Sequence, residues 1–243
     1  MSASYDLAMN LQNSTALITG GSRGIGRAIA EMLVGAGARV AITGRDESQL
    51  QKSADALGVR PIRADVSNEA DVMRTCREVL QAFGHLDILV NNAGIGTFKK
   101  LIDMPRAEFD AVFATNVTGA MLMAREAAKH FIERGGGNIV NISSTAGLRG
   151  APNGTAYYAS KFALRGMTEC WRAELRPHNI RVFLVNPSEV LTDFYATSGL
   201  GAQPENPTKL HGSDLAHIVK AILEMEDRGF TPELSVFATN PRD

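Results

Sequence analysis

Short apolar runs alternate along the chain with longer segments in which apolar residues recur at helical spacing. The runs predict about seven strands, at residues 15–19, 39–43, 59–63, 86–90, 138–142, 181–185 and 233–237. The segments between them predict helices at residues 25–34, 49–57, 109–134, 155–176 and 213–226, and Asn68 caps a further helix that reaches Phe83. Strands that are almost continuously apolar and alternate with helices predict an α/β fold: a Rossmann-like, doubly wound parallel sheet with helices on both faces.

Length and composition limit the possible classes of protein. The 243 residues, 44% apolar and 21% charged, predict a single domain over residues 1–243, with a Gly- and Pro-containing lid around residues 192–212. A net charge of −1 gives no attraction to nucleic acid or an anionic membrane. No signal segment or membrane span is apparent, so we expect a cytoplasmic protein. The two cysteines and five histidines lack metal-ligand spacing, so we predict no metal site.

A glycine-rich loop follows the first predicted strand and opens the first predicted helix. It reads Thr19-Gly20-Gly21-Ser22-Arg23-Gly24-Ile25-Gly26, with three residues rather than one in the first gap between the spaced glycines. Glycines permit a tight turn and let the backbone approach a phosphate, and the N-terminus of the helix offers free N–H groups and a positive dipole end. The strand–turn–helix context therefore indicates a dinucleotide site.

The residues after the second predicted strand indicate which dinucleotide is bound. Sites for NAD place an acidic residue there for the ribose 2′-hydroxyl, but by count this position is Gly44. Arg45 follows it, and Arg23 lies in the glycine loop. Two guanidinium groups suit a 2′-phosphate, so NADP(H) is favoured over NAD(H); the alternative is that both arginines are solvated surface charges.

Tyr157 and Lys161 are four residues apart in a predicted helix, so they share one face. A tyrosine near a lysine cation and an oxidised nicotinamide ring would have a lowered pKa and could exchange a proton with a carbonyl or alcohol oxygen. Ser144, thirteen residues earlier at the end of a strand, could hydrogen-bond that oxygen. Asn116 lies within a predicted long helix although asparagine is a mediocre helix former, and a buried amide there needs partners such as an ordered water.

In combination these motifs resemble the short-chain dehydrogenase/reductase family over roughly residues 15–192. The resemblance rests on the glycine loop, Asp65-Val66, Asn91-Asn92-Ala93-Gly94, Asn116, Ser144, Tyr157 and Lys161, which stand in the family's order and spacing. It implies that Tyr157 is the acid/base and that Ser144 orients the substrate oxygen. Lys161 would bind the nicotinamide ribose, lower the pKa of Tyr157 and pass protons through a water held by Asn116.

The resemblance also implies the cofactor contacts. Asp65 and Val66 would contact the adenine, Asn92 the adenosine-side ribose, and Val190 and Thr192 the nicotinamide carboxamide. The full set of expected cofactor-binding residues is Gly20, Ser22, Arg23, Gly24, Ile25, Gly26, Arg45, Asp65, Val66, Asn92, Ala93, Gly94, Tyr157, Lys161, Pro187, Val190 and Thr192. Segments 94–98, 145–153 and 194–211 are expected to line the substrate pocket.

Two departures from the family leave the substrate open. Ser188 stands where the family usually has glycine, and the C-terminal segment lacks the glycines of typical 3-oxoacyl-carrier-protein reductases. The sequence favours an NADPH-dependent reductase of a ketone or aldehyde. A 3-oxoacyl-[acyl-carrier-protein] reductase is the alternative, and a non-catalytic NADP-binding regulatory protein a remote one. By resemblance, the two long helices are expected to form a homodimer or homotetramer interface. Each helix carries a stripe of small or apolar side chains, at Ala120, Ala124, Ala127 and Phe131 and at Ala159, Ala163, Met167 and Cys170. The alternative is that these stripes pack in the core against the sheet.

Overall fold

Seven parallel strands form one sheet in the computed structural model, which describes residues 10–201, 204–226 and 228–241. The strands are β1 (Thr15–Ile18), β2 (Arg39–Gly44), β3 (Arg60–Arg63), β4 (Ile88–Asn91), β5 (Gly137–Ile142), β6 (Ile180–Pro187) and β7 (Glu233–Val236). Their order across the sheet is β3-β2-β1-β4-β5-β6-β7, and every neighbouring pair is parallel. The predicted parallel sheet is confirmed, and each predicted strand is present to within about two residues at either end.

The helices cover both faces of this sheet. They are α1 (Gly24–Gly35), α2 (Glu47–Leu57), α3 (Glu69–Phe83), α4 (Arg106–Phe113), α5 (Ala120–Arg134), α6 (Thr155–Leu175), α7 (Phe194–Thr197) and α8 (Gly212–Leu223). Asn68 caps α3 as predicted, because its side chain accepts a hydrogen bond from the Asp71 N–H. Apolar side chains of α1 and α8 pack on one face of the sheet, and those of α3 and α5 pack on the other.

The strand order reverses between β1 and β4. The chain moves outward from β1 to β2 and β3, then returns to β4 on the other side of β1. Loops leaving the carboxyl ends of β1 and β4 therefore diverge, which opens a crevice at this edge of the sheet. The glycine loop follows β1, and Asn92, Ala93 and Gly94 follow β4, so both motifs meet at the crevice.

The long helix predicted at residues 109–134 is present in a modified form. It begins earlier, as α4, and a π-helical segment at Ala114–Gly119 separates α4 from α5. Asn116 lies inside that segment. Asparagine is a weak helix former, and π-helical insertions are frequent at functional sites, so the interruption coincides with the residue singled out from sequence.

The two side-chain stripes on the long helices differ in burial. Ala120, Ala124, Ala127 and Phe131 are all buried, and the last three belong to the apolar core on one face of the sheet. In the second stripe, Ala159, Ala163 and Met167 are half-buried and Cys170 is exposed, so only the α6 stripe faces outward. Of the predicted lid, residues 202 and 203 lie outside the described residues. No helix within the described ranges combines the length and apolar character that crossing a bilayer requires.

Candidate active site

A cleft of about 760 Å³ lies at the carboxyl edge of the sheet, where the strand order reverses. That volume is in the range of small-molecule and cofactor sites. Every expected cofactor-binding residue except Gly26 lines the cleft, and so do Ser144, Tyr157 and Lys161. Asn116 lies just outside the lining. The structure therefore brings together motifs that are as much as 172 positions apart, from Gly20 to Thr192.

The glycine loop turns sharply between β1 and α1. Gly20 has a φ of 64° and Gly24 a φ of 55°, in the left-handed region that residues with a side chain seldom adopt. Helix α1 begins at Gly24, so its free N–H groups point toward the cleft. The Ser22 carbonyl oxygen accepts hydrogen bonds from Ser53 Oγ, at 2.6 Å, and from Gln49 Nε2, at 3.2 Å. These bonds fix the loop to α2.

Gly26 lies where the first turn of α1 approaches the glycine turn and Asn92 too closely to admit a side chain. A Cβ atom at this position would lie 2.4 Å from Asn92 Nδ2 and 2.5 Å from the Gly20 carbonyl oxygen. The first turn of α1 can approach the glycine turn only because no side chain separates them. Gly26 thus packs against the glycine turn behind the surface of the cleft, which explains its absence from the lining.

Asn92 joins the β4 loop to the glycine loop. Its Nδ2 donates to the carbonyl oxygens of Thr19, at 2.9 Å, and Gly20, at 3.1 Å. Thr19 Oγ1 in turn accepts from the Asn92 and Ala93 N–H groups, each at 3.0 Å. No sequence pattern predicts that Thr19 joins the two loops in this way. The Asn92 side-chain nitrogen is therefore engaged with the glycine loop rather than directed at a ribose.

Arg23 and Arg45 are both exposed and both line the same cleft. Gly44 also lines the cleft and carries no carboxylate, and a Cβ there would make a tight contact of 3.1 Å with Ser22 Oγ. The nearby Asp46 carboxylate caps α2 by accepting from the Gln49 N–H, at 3.0 Å, and does not line the cleft. This end of the cleft presents two cations next to the glycine loop.

Tyr157 and Ser144 meet in the middle of the cleft. The nearby Ser144 hydroxyl favours the ionised phenol, but burial of the Tyr157 ring has the larger effect and raises its pKa to about 12. Part of the ring surface still faces the cleft. Ser144 Oγ also accepts from the Ala146 N–H, at 3.1 Å, which fixes its position at the end of β5. At neutral pH Tyr157 therefore holds its proton.

Lys161 lies one helical turn beyond Tyr157 and is 5% exposed. Its Nζ donates to the Ile142 carbonyl oxygen, at 3.0 Å, and lies 5.7 Å from the centre of the Tyr157 ring. Burial lowers the pKa of Lys161 to about 8. The ammonium group is thus a buried cation close to the Tyr157 ring.

Asn116 is buried and its amide is satisfied by protein atoms. Its Oδ1 accepts from the Ile95 N–H and its Nδ2 donates to the Ile95 carbonyl oxygen, both at 2.9 Å. Nδ2 also donates to Ser160 Oγ, at 3.0 Å. The partners that a buried amide requires are thus backbone groups of the β4 loop and a serine of α6, so Asn116 joins that loop to the helix carrying Tyr157.

Two aromatic rings complete the surroundings of Tyr157. The centroids of Phe98 and Phe194 lie 5.5 Å and 5.2 Å from that of Tyr157. Both fall in segments expected to line the substrate pocket, although no sequence pattern singled them out. Phe237 and Pro241 also line the cleft, and sequence gave no signal for them, because the C-terminal segment reaches the cleft only through the pairing of β7 with β6.

Ser188 follows β6 without backbone strain. Its N–H donates to the Val236 carbonyl oxygen, at 2.8 Å, and its φ is not positive. The serine therefore occupies the usual glycine position without needing glycine's freedom. Among the residues that the structure describes, no group of His, Cys, Asp or Glu side chains could hold a metal ion.

Comparison with known proteins agrees with this geometry. The family model described as short chain dehydrogenase matches residues 14–201. An "uncharacterized oxidoreductase" of Thermotoga maritima is 31% identical over 235 residues, covering 90% of this chain and 92% of that protein.

Solved structures of similar proteins contain nicotinamide cofactors. A 3-ketoacyl-(acyl-carrier-protein) reductase from Brucella melitensis, complexed with NADH, has a TM-score of 0.86 at 32% identity and covers 94% of this chain and 98% of its own. A metagenomic short-chain oxidoreductase in complex with NADP has a TM-score of 0.83 at 34% identity, with 96% and 100% covered. The parallel sheet, the glycine loop and the family match agree: this chain belongs to the short-chain dehydrogenase/reductase family, a family of oxidoreductases that use nicotinamide dinucleotides.

Proposed function

We propose that the protein is an NADPH-dependent reductase of ketones or aldehydes, which also catalyses the reverse oxidation of the alcohol. The observation that carries this proposal is that Tyr157, Ser144 and Lys161 share one cleft, where the Tyr157 hydroxyl holds its proton and Lys161 Nζ lies 5.7 Å from the centre of the ring. A neutral phenol with a fixed hydrogen-bonding neighbour is the form of acid that carbonyl reduction requires.

The residues of the cleft fit NADP(H). The glycine turn and the close approach at Gly26 leave space for a pyrophosphate against the N-terminus of α1. Arg23 and Arg45 would bind the 2′-phosphate, and Gly44 supplies no carboxylate for the hydroxyl group of an unmodified ribose. Asp65 and Val66 would contact the adenine. Pro187, Val190 and Thr192 would contact the nicotinamide carboxamide, and Lys161 its ribose.

The proton chemistry follows from side chains of this chain. When bound, NADPH supplies a hydride to the carbonyl carbon. Tyr157 gives its proton to the carbonyl oxygen, so the carbonyl becomes an alcohol and a phenolate remains. Ser144 donates a hydrogen bond to that oxygen as negative charge develops on it. Lys161 stabilises the phenolate until a proton from solvent restores the phenol.

A second candidate is the reduction of a 3-oxoacyl thioester held by a carrier protein. It is supported by the similarity to the Brucella melitensis reductase, which extends over 94% of this chain. The same four residues, Ser144, Tyr157, Lys161 and Asn116, would serve this reaction. Their joint presence argues against a regulatory protein that binds NADP without catalysis.

The test is a screen of NADPH consumption over ketones, aldehydes, quinones and acyl thioesters, with NADH as the comparison. We expect turnover of at least one ketone or aldehyde, with NADPH preferred. A preference for NADH would contradict the argument from Arg23 and Arg45. Tight NADPH binding without turnover of any carbonyl would favour the regulatory alternative.

A further inference from the structure

Three rings meet around the reacting hydroxyl, and we call Phe98, Tyr157 and Phe194 the aromatic corner. The ring centroids of Phe98 and Phe194 are 6.5 Å apart, with their planes at 87°. Both rings tilt by about 48° against Tyr157. Phe98 and Phe194 are half-buried and line the cleft, so each presents apolar surface toward the position of a substrate carbonyl.

Phe98 is held in place from both sides. Thr97 Oγ1 donates to the Glu108 carboxylate, at 2.6 Å, and the Lys99 ammonium pairs with the same carboxylate. The Lys99 N–H also donates to the Asn153 carbonyl oxygen, at 2.8 Å. These anchors on α4 and on the loop before α6 limit the rotation of the segment, so the Phe98 ring is preorganised.

Phe194 is seated against the β4 loop at a glycine. A Cβ atom on Gly96 would lie 2.7 Å from Phe194 Cζ and 3.1 Å from Phe98 Cε2. The φ of Gly96 is not positive, so glycine is needed there for space and not for backbone conformation. The absence of a side chain at this one position lets the two phenylalanines close the aromatic corner.

Two further large apolar side chains line the same cleft as the aromatic corner. Leu200 and Phe237 line it while remaining 48% and 61% exposed, so large apolar side chains stay uncovered. Charge offers little competing attraction here. The Glu189 carboxylate pairs with Lys209 Nζ, at 2.8 Å, and the exposed side chains of Arg149 and Asp193 carry opposite signs. An apolar ligand would cover the Leu200 side chain and the phenylalanine rings, which offer a polyol no hydrogen-bond partner; the hydroxyl groups of the cleft, such as those of Tyr158 and Tyr195, lie on other lining residues.

We propose that the substrate is an apolar carbonyl compound with a ring at or next to the carbonyl group, and that Phe98 and Phe194 determine this specificity. This inference rests on the proposed carbonyl reductase function. The substrate ring packs against the faces of Phe98 and Phe194, which directs its carbonyl oxygen toward the hydroxyl groups of Tyr157 and Ser144. An acyclic chain with the same number of carbon atoms covers less of both ring faces and is held in many orientations.

The test compares acetophenone with 2-octanone, which have equal numbers of carbon atoms, as substrates with NADPH. We expect kcat/KM to be at least about 10-fold higher for acetophenone, and Phe194→Ala to remove most of this preference. Phe194→Leu keeps an apolar side chain but no ring and should also lose the preference. Ile102→Ala is the matched control, because the Ile102 side chain is 88% exposed and lies outside the cleft. It should leave kcat/KM unchanged for both ketones.

A binding measurement separates this inference from the proposed function. Acetophenone with NADP⁺ and the protein cannot react, so saturation-transfer NMR reports recognition of the ring alone. Saturation transfer to the acetophenone ring that is present with the wild type and lost with Phe194→Ala supports the inference even if no carbonyl is turned over. Turnover with equal rates for both ketones, or ring contacts that persist unchanged in Phe194→Ala, would overturn the inference and leave the proposed reductase intact.

Gly96→Ala provides a variant that keeps both rings. The added methyl group would displace Phe194 or Phe98 because it cannot occupy the 2.7 Å gap. We expect the preference for acetophenone to fall by about 10-fold while NADPH binding is unchanged. A Gly96→Ala protein with the wild-type preference would show that the aromatic corner does not select the substrate.

Discussion

Lys161 Nζ lies 5.7 Å from the centre of the Tyr157 ring, yet its hydrogen bond goes to the Ile142 carbonyl oxygen. The cation thus lies behind the phenol without binding its oxygen. Burial raises the pKa of Tyr157 to about 12 and lowers that of Lys161 to about 8. Burial therefore disfavours the charged form of both groups, and the free protein holds Tyr157 as a neutral acid.

Binding of oxidised cofactor should lower the pKa of Tyr157 from about 12, because the positive nicotinamide ring adds a second cation near the phenol. The measurement is phenolate absorbance during an alkaline titration, taken as the difference between wild type and Tyr157→Phe. Without cofactor we expect almost no ionisation of Tyr157 below about pH 10. NADPH, with its uncharged ring, is the control and should shift the titration less than NADP⁺ does. Identical titrations with both cofactors would contradict the electrostatic argument.

Replacement of Lys161 by methionine should stabilise the free protein while abolishing turnover. The pKa of Lys161 is lowered to about 8 in the folded state, so the unfolded chain binds more protons between about pH 8 and 10.5. Wild-type stability is therefore penalised below pH 8, and the penalty is relieved as the pH rises. We expect Lys161→Met to raise the free energy of unfolding by up to about 3 kcal/mol at pH 7.

Urea unfolding of both proteins at several pH values measures this effect. The advantage of Lys161→Met should shrink steadily from pH 8 toward pH 10, because only the wild type gains from deprotonation. An advantage that does not vary with pH would point to packing and not to the buried charge.

Tyr157→Phe should reduce kcat by about 10²- to 10⁴-fold, because the variant keeps the ring but has no proton to give. Ser144→Ala should cost less, about 10- to 10³-fold, since it removes one hydrogen bond to the developing charge. Single-turnover kinetics with saturating NADPH measure both losses. NADPH binding, followed by its fluorescence, should stay near the wild-type value in each variant, and wild-type turnover by Tyr157→Phe would refute the role of Tyr157.

Much of the fold could be predicted because periodicity and local chemistry act over short stretches of chain. The strands are mostly apolar. Asn68 marks the start of α3 by capping it, and Pro177 marks the end of α6 because proline lacks a backbone N–H donor. The division of the long helix at Ala114–Gly119 could not be predicted. It depends on tertiary hydrogen bonds from Asn116 to the distant Ile95 and Ser160, which leave no trace in the local pattern.

The candidate site was predictable where residue type alone limits the chemistry. The glycine loop, Ser144, Tyr157 and Lys161 converge on one cleft as the spacing indicated. The engagement of Asn92 with Thr19 and Gly20 was not foreseen, because it requires knowledge of how two loops pack. The aromatic neighbours of Tyr157 were placed only by segment, since Phe98 and Phe194 meet through the space left by Gly96 and not through any sequence period.

Arg45→Ala should weaken NADPH binding by about 10- to 100-fold and leave NADH binding almost unchanged. The guanidinium group can form charge-assisted hydrogen bonds only with the extra 2′-phosphate. Dissociation constants from fluorescence titration, at more than one salt concentration, measure the change. Arg27→Ala is a matched control, because Arg27 lies on α1, outside the cleft, and pairs with Glu31. An equal loss for both cofactors would assign Arg45 a structural role.

Gly26→Ala should weaken the binding of NADPH and NADH alike. Its methyl group would lie within 2.5 Å of Asn92 Nδ2 and the Gly20 carbonyl oxygen, so α1 must move away from the glycine turn. We expect a loss of about 1–3 kcal/mol in the free energy of unfolding, typical of added volume at a packed contact. Gly35→Ala, in the same helix with no atom within 4 Å of the new Cβ, should bind both cofactors as the wild type does. If Gly26→Ala binds NADPH normally, the phosphate end of the cleft does not depend on this close approach, and the cofactor must be held chiefly by the arginines and the nicotinamide end.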